Sequence, residues 1–424
     1  MLGTLRVAPF RRLWLADVIS LLGDWAARLA LSLIVLERTG SPGWAAAVTA
    51  VSLAGYVGIG QLLATYADRR GRVPVMVVAD LVRAGLFAVM LLDLPIGVVL
   101  LLAFLAGLAT PPFEAARSAA IPDLVPEAQY GDALALAGIS VQGAVILGYL
   151  GGGGLIAWLG AETALAVNAA SFGVSALLVL GLAGTPASAP STTQSSRASL
   201  RDGARDLVDD VLLRRAILLV CVLGLLGTVD EALLVPYADH VGIGVGSLGV
   251  LGAAIPVGTI VGTALLPTQG DHGHLLRWAS VCAMVTGAAA VPLFLLEVGA
   301  VGAFVAFLVS GGMFAVSVPA NVVIGTRLRR ETRASAMGIV VGALMGSQAL
   351  GAALGGAVAE LVGPPRTIAG ALALAALYSA WSAATTPREA RGRRGGRTRD
   401  AADDGEADRP VVPADATAHL AAPA

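Results

Sequence analysis

Apolar residues run along this chain in long blocks, broken at intervals by small clusters of arginine and acid. The blocks show neither the alternation of a half-buried strand nor the one-sided stripe of a surface helix. They are apolar on every face, and most reach or exceed the roughly 20 residues that cross a bilayer as a helix. The pattern predicts twelve spans, at about 13–36, 44–66, 73–93, 96–115, 133–158, 163–184, 215–237, 245–267, 275–295, 298–324, 335–361 and 367–386. Helix is the expected conformation, because each helix satisfies its own backbone N–H and C=O groups without water.

Two segments break the pattern. Residues 185–213 start Pro/Ser/Thr-rich and then mix acids, arginines and leucines, as in "RDGARDLVDDVLL". The first part reads as a flexible linker, the second as an amphipathic helix on the membrane surface. Beyond Pro387 the chain is polar, charged and without apolar period, which predicts disorder. The expected organisation is a six-helix bundle at 1–184, a cytoplasmic linker with an amphipathic helix at 185–213, a second six-helix bundle at 214–386 and a cytoplasmic tail at 387–424.

Composition supports the membrane reading. The chain is 56% hydrophobic and 13% charged, against about 25% charged for a soluble protein. Its basic residues are all arginine, and the net charge of −1 gives no field that would draw nucleic acid. With both termini placed in the cytoplasm, the outer loops hold only Arg38 and Arg366, and nearly all other arginines fall on the inner side. That is the asymmetry expected of a multi-pass protein. Arg6, Arg11 and Arg12 precede a long apolar segment without an Ala-x-Ala site, so the N-terminus reads as a retained first span. Cys221 and Cys282 sit in apolar segments and imply neither disulfide nor metal site. No nucleotide-cradling loop, nucleophile triad or metal cluster is visible, so neither an enzyme nor a cofactor is expected.

The two sets of six spans repeat. At an offset of 203 residues, Arg11 and Arg12 fall on Arg214 and Arg215, and Asp68 falls on Asp271. Gly143, Gly148, Gly152, Gly153 and Gly160 fall on Gly346, Gly351, Gly355, Gly356 and Gly363. An even number of spans between equivalent points makes the halves run the same way. Such a parallel repeat turns about an axis along the membrane normal and holds its binding site between the halves.

Between spans two and three stands Asp68-Arg-Arg-Gly-Arg72. Together with the repeat, this loop resembles the signature loop of the major facilitator superfamily (MFS) of transporters. Ala64 stands where the family often has glycine, and Val73 where it often has a second basic residue. The resemblance covers residues 8–386. "FRRLWLADVISLLGD", "ADLVRA" and "ARSAAIPDLVP" are similar to bacterial drug and siderophore exporters of the enterobactin-exporter and macrolide-efflux type. The resemblance implies an all-α integral membrane protein of twelve helices in two parallel-repeat bundles, in the bacterial cytoplasmic membrane and without cofactor. It also implies that Asp68, Arg69, Gly71 and Arg72 form a gating loop, in which Asp68 holds the N-terminus of span eleven when the outer face is open. A carboxylate suits the exposed N–H groups there, Gly71 permits the turn, and Arg69 or Arg72 could pair with Asp123.

Ionisable residues inside spans are costly and mark candidate sites. Asp24 and Arg28 share one face of span one, and Asp80 and Arg83 one face of span three. Each set reads first as a structural pair. Glu114 ends span four, three residues before Arg117. Asp230 and Glu231 are adjacent in span seven with no base in their own span, and about 100° per residue lets only one face a cavity. Glu231, Asp230, Glu114, Asp24 and Arg28 are the candidates for proton coupling or substrate binding. Gly143, Gly148 and Gly152 in span five, with Gly346, Gly351 and Gly355 in span eleven, are candidate helix-interface glycines. The proline that antiporters of the family often carry in span five is replaced here by Tyr149 after Gly148. The expected function is secondary transport by alternating access, as proton-coupled efflux of a small, largely hydrophobic molecule by a monomer in the lipid bilayer. An importer or facilitator of the same fold, and a sensor or scaffold that transports nothing, remain alternatives.

Overall fold

The computed structural model describes residues 2–57, 71–185, 197–267, 270–296, 299–329 and 332–387. Asp68, Arg69, the rest of the expected span two, the linker at 186–196 and the tail from 388 lie outside the described residues.

Among the described residues every regular element is helical. Ten stretches are long and apolar enough to cross a membrane: Ala8–Thr39, Ile96–Leu124, Glu127–Leu159, Ala161–Leu180, Val211–Ala232, Val245–Ala264, His272–Leu295, Gly299–Arg327, Ser335–Val362 and Pro364–Thr385. These are spans one, four to six, and seven to twelve. Span two begins at Pro42–Ala54, and span three is Arg72–Val89, which carries Arg72, Asp80 and Arg83 in only 18 residues. The result is the twelve-span, all-α architecture expected from the apolar blocks.

Several boundaries differ from the sequence expectation, each for a physical reason. Span four continues to Leu124, because Glu114 and Arg117 find partners within the bundle and need not leave it. Span seven breaks at Leu233 and resumes as the short helix Leu234–His240. Span ten has a 3₁₀ turn, Gly312–Val316, between two α segments. The amphipathic helix is present at Arg197–Asp209 and packs against span eleven.

The starts of spans one and seven and the ends of spans six and twelve lie on one face of the molecule. We call this the terminal face. The hairpin between Thr39 and Pro42 marks the far face. The 203-residue offset reappears in bonding. Arg11 donates to the Leu5 carbonyl at 3.3 Å, and its equivalent Arg214 donates to the Val208 carbonyl at 3.1 Å. Arg12 reaches the end of span six through the Gly181 carbonyl at 2.7 Å, and Arg215 reaches the end of span twelve through Thr385 Oγ1 at 2.9 Å. Gly160 and Gly363 make the same far-face turn with φ of 85° and 84°. In each half the first helix packs on the fifth and sixth. Across the halves, span two meets span eleven, and span five meets span eight.

Candidate functional site

Between the halves lies a cavity of about 810 Å³, within the usual range for small-molecule sites. Its lining comes from the terminal-face and middle portions of spans one, two, four, five, eight, ten and eleven, together with Glu231. Asp17, Asp24 and Arg28 reach it from one face of span one, where steps of seven and four residues align side chains. Arg83 enters from span three, Tyr56 from span two and Glu114 from span four.

The charges pair mainly between helices. Arg28 binds Glu231 at 3.1 Å and lies over the Trp25 ring, 4.4 Å from its centroid. The expected partner, Asp24, instead approaches Arg83 at 3.9 Å and accepts from Asn168 Nδ2 at 3.3 Å. The helix places Asp24 and Arg28 on one face, but long side chains follow whatever neighbouring helices offer. Tyr149 donates to Glu231 at 3.4 Å and rests against Trp25 with centroids 5.1 Å apart. Arg28 and Glu231 are themselves separated by the repeat offset. The bond therefore joins equivalent positions of the two halves, and equivalent positions touch only where they lie near the axis relating them.

Asp80 and Arg83 do form the pair read from their spacing, at 2.5 Å, with Asp80 wholly buried. Ser175 donates to the second Asp80 oxygen at 2.7 Å. The Arg83 guanidinium sits between Phe113 and Phe172, at 4.7 and 4.2 Å from their centroids. Glu114 accepts from Tyr56 OH at 3.1 Å, and Arg117, its neighbour in sequence, pairs with Asp17 at 2.6 Å. Asp230 is 1% exposed and does not line the cavity; of the two adjacent acids, Glu231 faces it.

On the far face the halves come into direct contact. A Cβ on Gly249 of span eight would strike the Tyr149 carbonyl of span five, and one on Gly356 of span eleven would come within 3.2 Å of Gly43 Cα in span two. Glu360, at the end of span eleven, accepts from Ser41 Oγ and from Gly43 N, the latter at 2.9 Å. A carboxylate of one half thus caps a helix N-terminus of the other, where it is favoured by unpaired N–H groups and the helix dipole.

The candidate glycines divide. Gly148 and Gly152 let span five approach span one: their Cβ atoms would meet Trp25 Cβ at 2.7 Å and Ala26 Cα at 2.6 Å. Gly351 and Gly355 do the same for spans eleven and seven, against the Leu225 carbonyl and Val229. These four pack helices within a half, whereas Gly43, Gly153, Gly249 and Gly356 lie at contacts between halves. Gly346 faces Val57 at 3.2 Å. Gly143 is a correction: among the described residues nothing lies within 4 Å of its added Cβ, so it makes no helix contact there. A small residue permits close approach but does not require it.

On the terminal face, Gly71 (φ 86°) precedes span three, and Arg72 pairs with Asp123 as the charges suggested. Asp271, the repeat equivalent of Asp68, caps its own span nine by accepting from His274 N at 2.7 Å. The amphipathic helix is tied down by Asp206, which accepts from Arg329 and from Thr332 Oγ1. Just beyond, Asp210 pairs with Arg327 at 2.7 Å. Both arginine bonds to Asp206 and Asp210 come from the end of span ten. Sequence reading missed Tyr56, Glu360 and the Asp206 tie; only the Arg28–Glu231 contact had a signal, the shared offset.

The family model described as Major Facilitator Superfamily matches residues 13–324. No curated protein sequence matches the chain. Solved structures do. A bacterial homolog of the human lysosomal transporter Spinster, inward-facing and unoccupied, is 14% identical with a TM-score of 0.68, over 89% of this chain and 96% of that one. The nucleoside transporter NupG is 15% identical with a TM-score of 0.71, over 88% and 99%. A POT family transporter in complex with 5-aminolevulinic acid is 10% identical with a TM-score of 0.72, over 89% and 96%. At these identities the likeness is one of fold.

Proposed function

The chain belongs to the Major Facilitator Superfamily, and from that premise we propose that it moves a small, largely hydrophobic molecule out of the cell by proton-coupled alternating access. A member of this family with this fold is a multi-pass membrane transporter and not an enzyme. In this reading the terminal face is the cytoplasmic side of a bacterial plasma membrane, with both termini inside. The working unit is a monomer of two bundles, 1–184 and 214–386, joined by the linker at 185–213.

One observation carries the reading. The cavity extends toward the terminal face, as far as Asp17 and Ala264, and is shut beyond Arg28–Glu231 by contacts between the halves. A site closed at one end by pairwise contacts between two repeats is one half of a rocking cycle. Opening the far face requires breaking Arg28–Glu231 and the Glu360 cap. A proton on Glu231 would remove the charge that holds Arg28, which supplies a coupling step. The resemblance assigns the opposite latch to Asp68, Arg69, Gly71 and Arg72, with Arg72 anchored on Asp123.

The test is flux in inverted vesicles. Accumulation of solute driven by an imposed proton gradient, and abolished by an uncoupler, is the expected result; accumulation indifferent to the uncoupler would remove the coupling. Asp68→Asn should reach the membrane yet transport little. Wild-type flux in that variant would dismiss the latch.

A further inference from the structure

The two walls of the cavity differ in charge. Among the described residues, the first half contributes Asp17, Asp24, Arg28, Arg83 and Glu114, whereas the second contributes only Glu231 as a charged group. Three arginines meet five acids. Arg117 is taken by Asp17, Arg28 by Glu231, and Arg83 by the buried Asp80, which it touches at 2.5 Å. Asp24 is left with the far side of that same guanidinium at 3.9 Å and an amide hydrogen bond. Glu114 has a phenol hydroxyl. Asp230, the remaining acid nearby, lies off the cavity, and residues 58–67 of the second span contain no charged residue at all. Among the described residues the cluster therefore holds two more carboxylates than guanidinium groups, with Asp24 and Glu114 the most weakly matched. Opposite them stand Ile255, Ile260, Phe314, Val318 and Met345, interspersed with the uncharged polar groups of Thr259, Thr263, Ser317 and Gln348.

We propose that the substrate is an amphipathic organic cation, whose positive centre sits between Asp24 and Glu114 and whose apolar body lies against spans eight, ten and eleven. This rests on the transport reading above and names the chemistry it leaves open. A charge in a cavity of low dielectric needs an opposite charge close by, and among the described residues this cluster has two more carboxylates than guanidinium groups. Phe113, Trp25, Tyr56 and Tyr149 on the same wall add ring faces that attract cations. An anion would have to displace Asp80 or Glu231 from its arginine, leaving a buried carboxylate alone. A neutral solute would leave the acidic wall unmatched.

The probes are tetraphenylphosphonium and tetraphenylborate, which share size and shape and differ in sign. Binding to the purified full-length chain is measured by calorimetry in detergent, with protein-free micelles subtracted. Saturable binding of the cation and none of the anion is expected. Asp24→Asn and Glu114→Gln should each weaken the cation by on the order of ten-fold, while the exposed far-face variant Glu162→Gln leaves it unchanged. Equal binding of both ions to the unaltered protein would overturn the proposal without recourse to any variant. Undiminished cation binding by well-folded Asp24→Asn/Glu114→Gln would do the same. Distances between spin labels on the two halves, followed with and without the cation, separate this from the transport reading. Binding with no change of distance would keep the site and end alternating access. Two exchanging distances with no cation binding would keep the cycle and end the substrate class.

Discussion

Glu231→Gln removes one charge at the point where the halves meet and changes little else. Glutamine keeps the length of the side chain and an oxygen for the Tyr149 hydroxyl, and Arg28 keeps its stacking on Trp25. The Arg28 and Glu231 side chains are 25% and 19% exposed. At 3.1 Å with an effective dielectric constant near 20, their attraction is about 5 kcal/mol before desolvation is subtracted. Breaking a fully buried pair costs about 3–5 kcal/mol. Partial exposure and the retained hydrogen bond bring this to about 2 kcal/mol, or roughly a thirty-fold loss of the closed far face relative to the open one. The assay is the electron–electron distance between spin labels at Glu162 and Arg366, both exposed on the far face, after replacement of Cys221 and Cys282 by serine. The longer distance should gain population in Glu231→Gln. The exchange Arg28→Glu/Glu231→Arg should then restore most of the short distance, because the two positions are equivalents 203 residues apart. Restoration should be incomplete by about 0.5–1 kcal/mol, since Thr228 occupies the place equivalent to Trp25 and offers no ring. An unchanged distribution in Glu231→Gln, or an exchange no better than the single variant, would refute the reasoning.

Other contacts give their own outcomes. Glu360→Ala removes the cap over Ser41 and Gly43 and should open the far face by about 1 kcal/mol, several-fold, on the same label pair; its effect should add to that of Glu231→Gln, because the two contacts share no side chain. Gly351→Ala forces a methyl against the Leu225 carbonyl and should lower stability by about 1–3 kcal/mol in a melting curve, whereas Gly143→Ala meets nothing within 4 Å among the described residues and should not. Hydrogen bonds donated by Arg329 and Thr332 hold the Asp206 carboxyl below its usual range. Since its folded value is the lower one, the stabilisation is complete above about pH 4 and is lost as pH falls through the folded value. Amide exchange over 197–209, corrected for intrinsic rate, should therefore be flat from pH 5 to 8, and Asp206→Asn should raise it throughout that range.

The apolar blocks alone determine that this chain crosses the membrane as helices and about how many times, and the arginines, aspartates and glycines shared at an offset of 203 residues show that its second half repeats its first. Lipid leaves a backbone few alternatives, so length and hydropathy suffice where soluble folds need detail. Spacing within a helix also sufficed for Asp80 and Arg83, three residues apart on one element. It failed for Asp24 and Arg28, equally well placed on span one, because Glu231 came from another half of the molecule to take the arginine. The helical step allowed that one of Asp230 and Glu231 would face the cavity; packing of span seven decided which. The same holds for Gly148 and Gly143, alike in sequence, of which one touches span one and the other meets none of the described residues. Intrahelical neighbours are set by a local repeat of 3.6 residues. Partners between helices depend on how side-chain ridges settle across distances of hundreds of residues, and only the assembled bundle decides that.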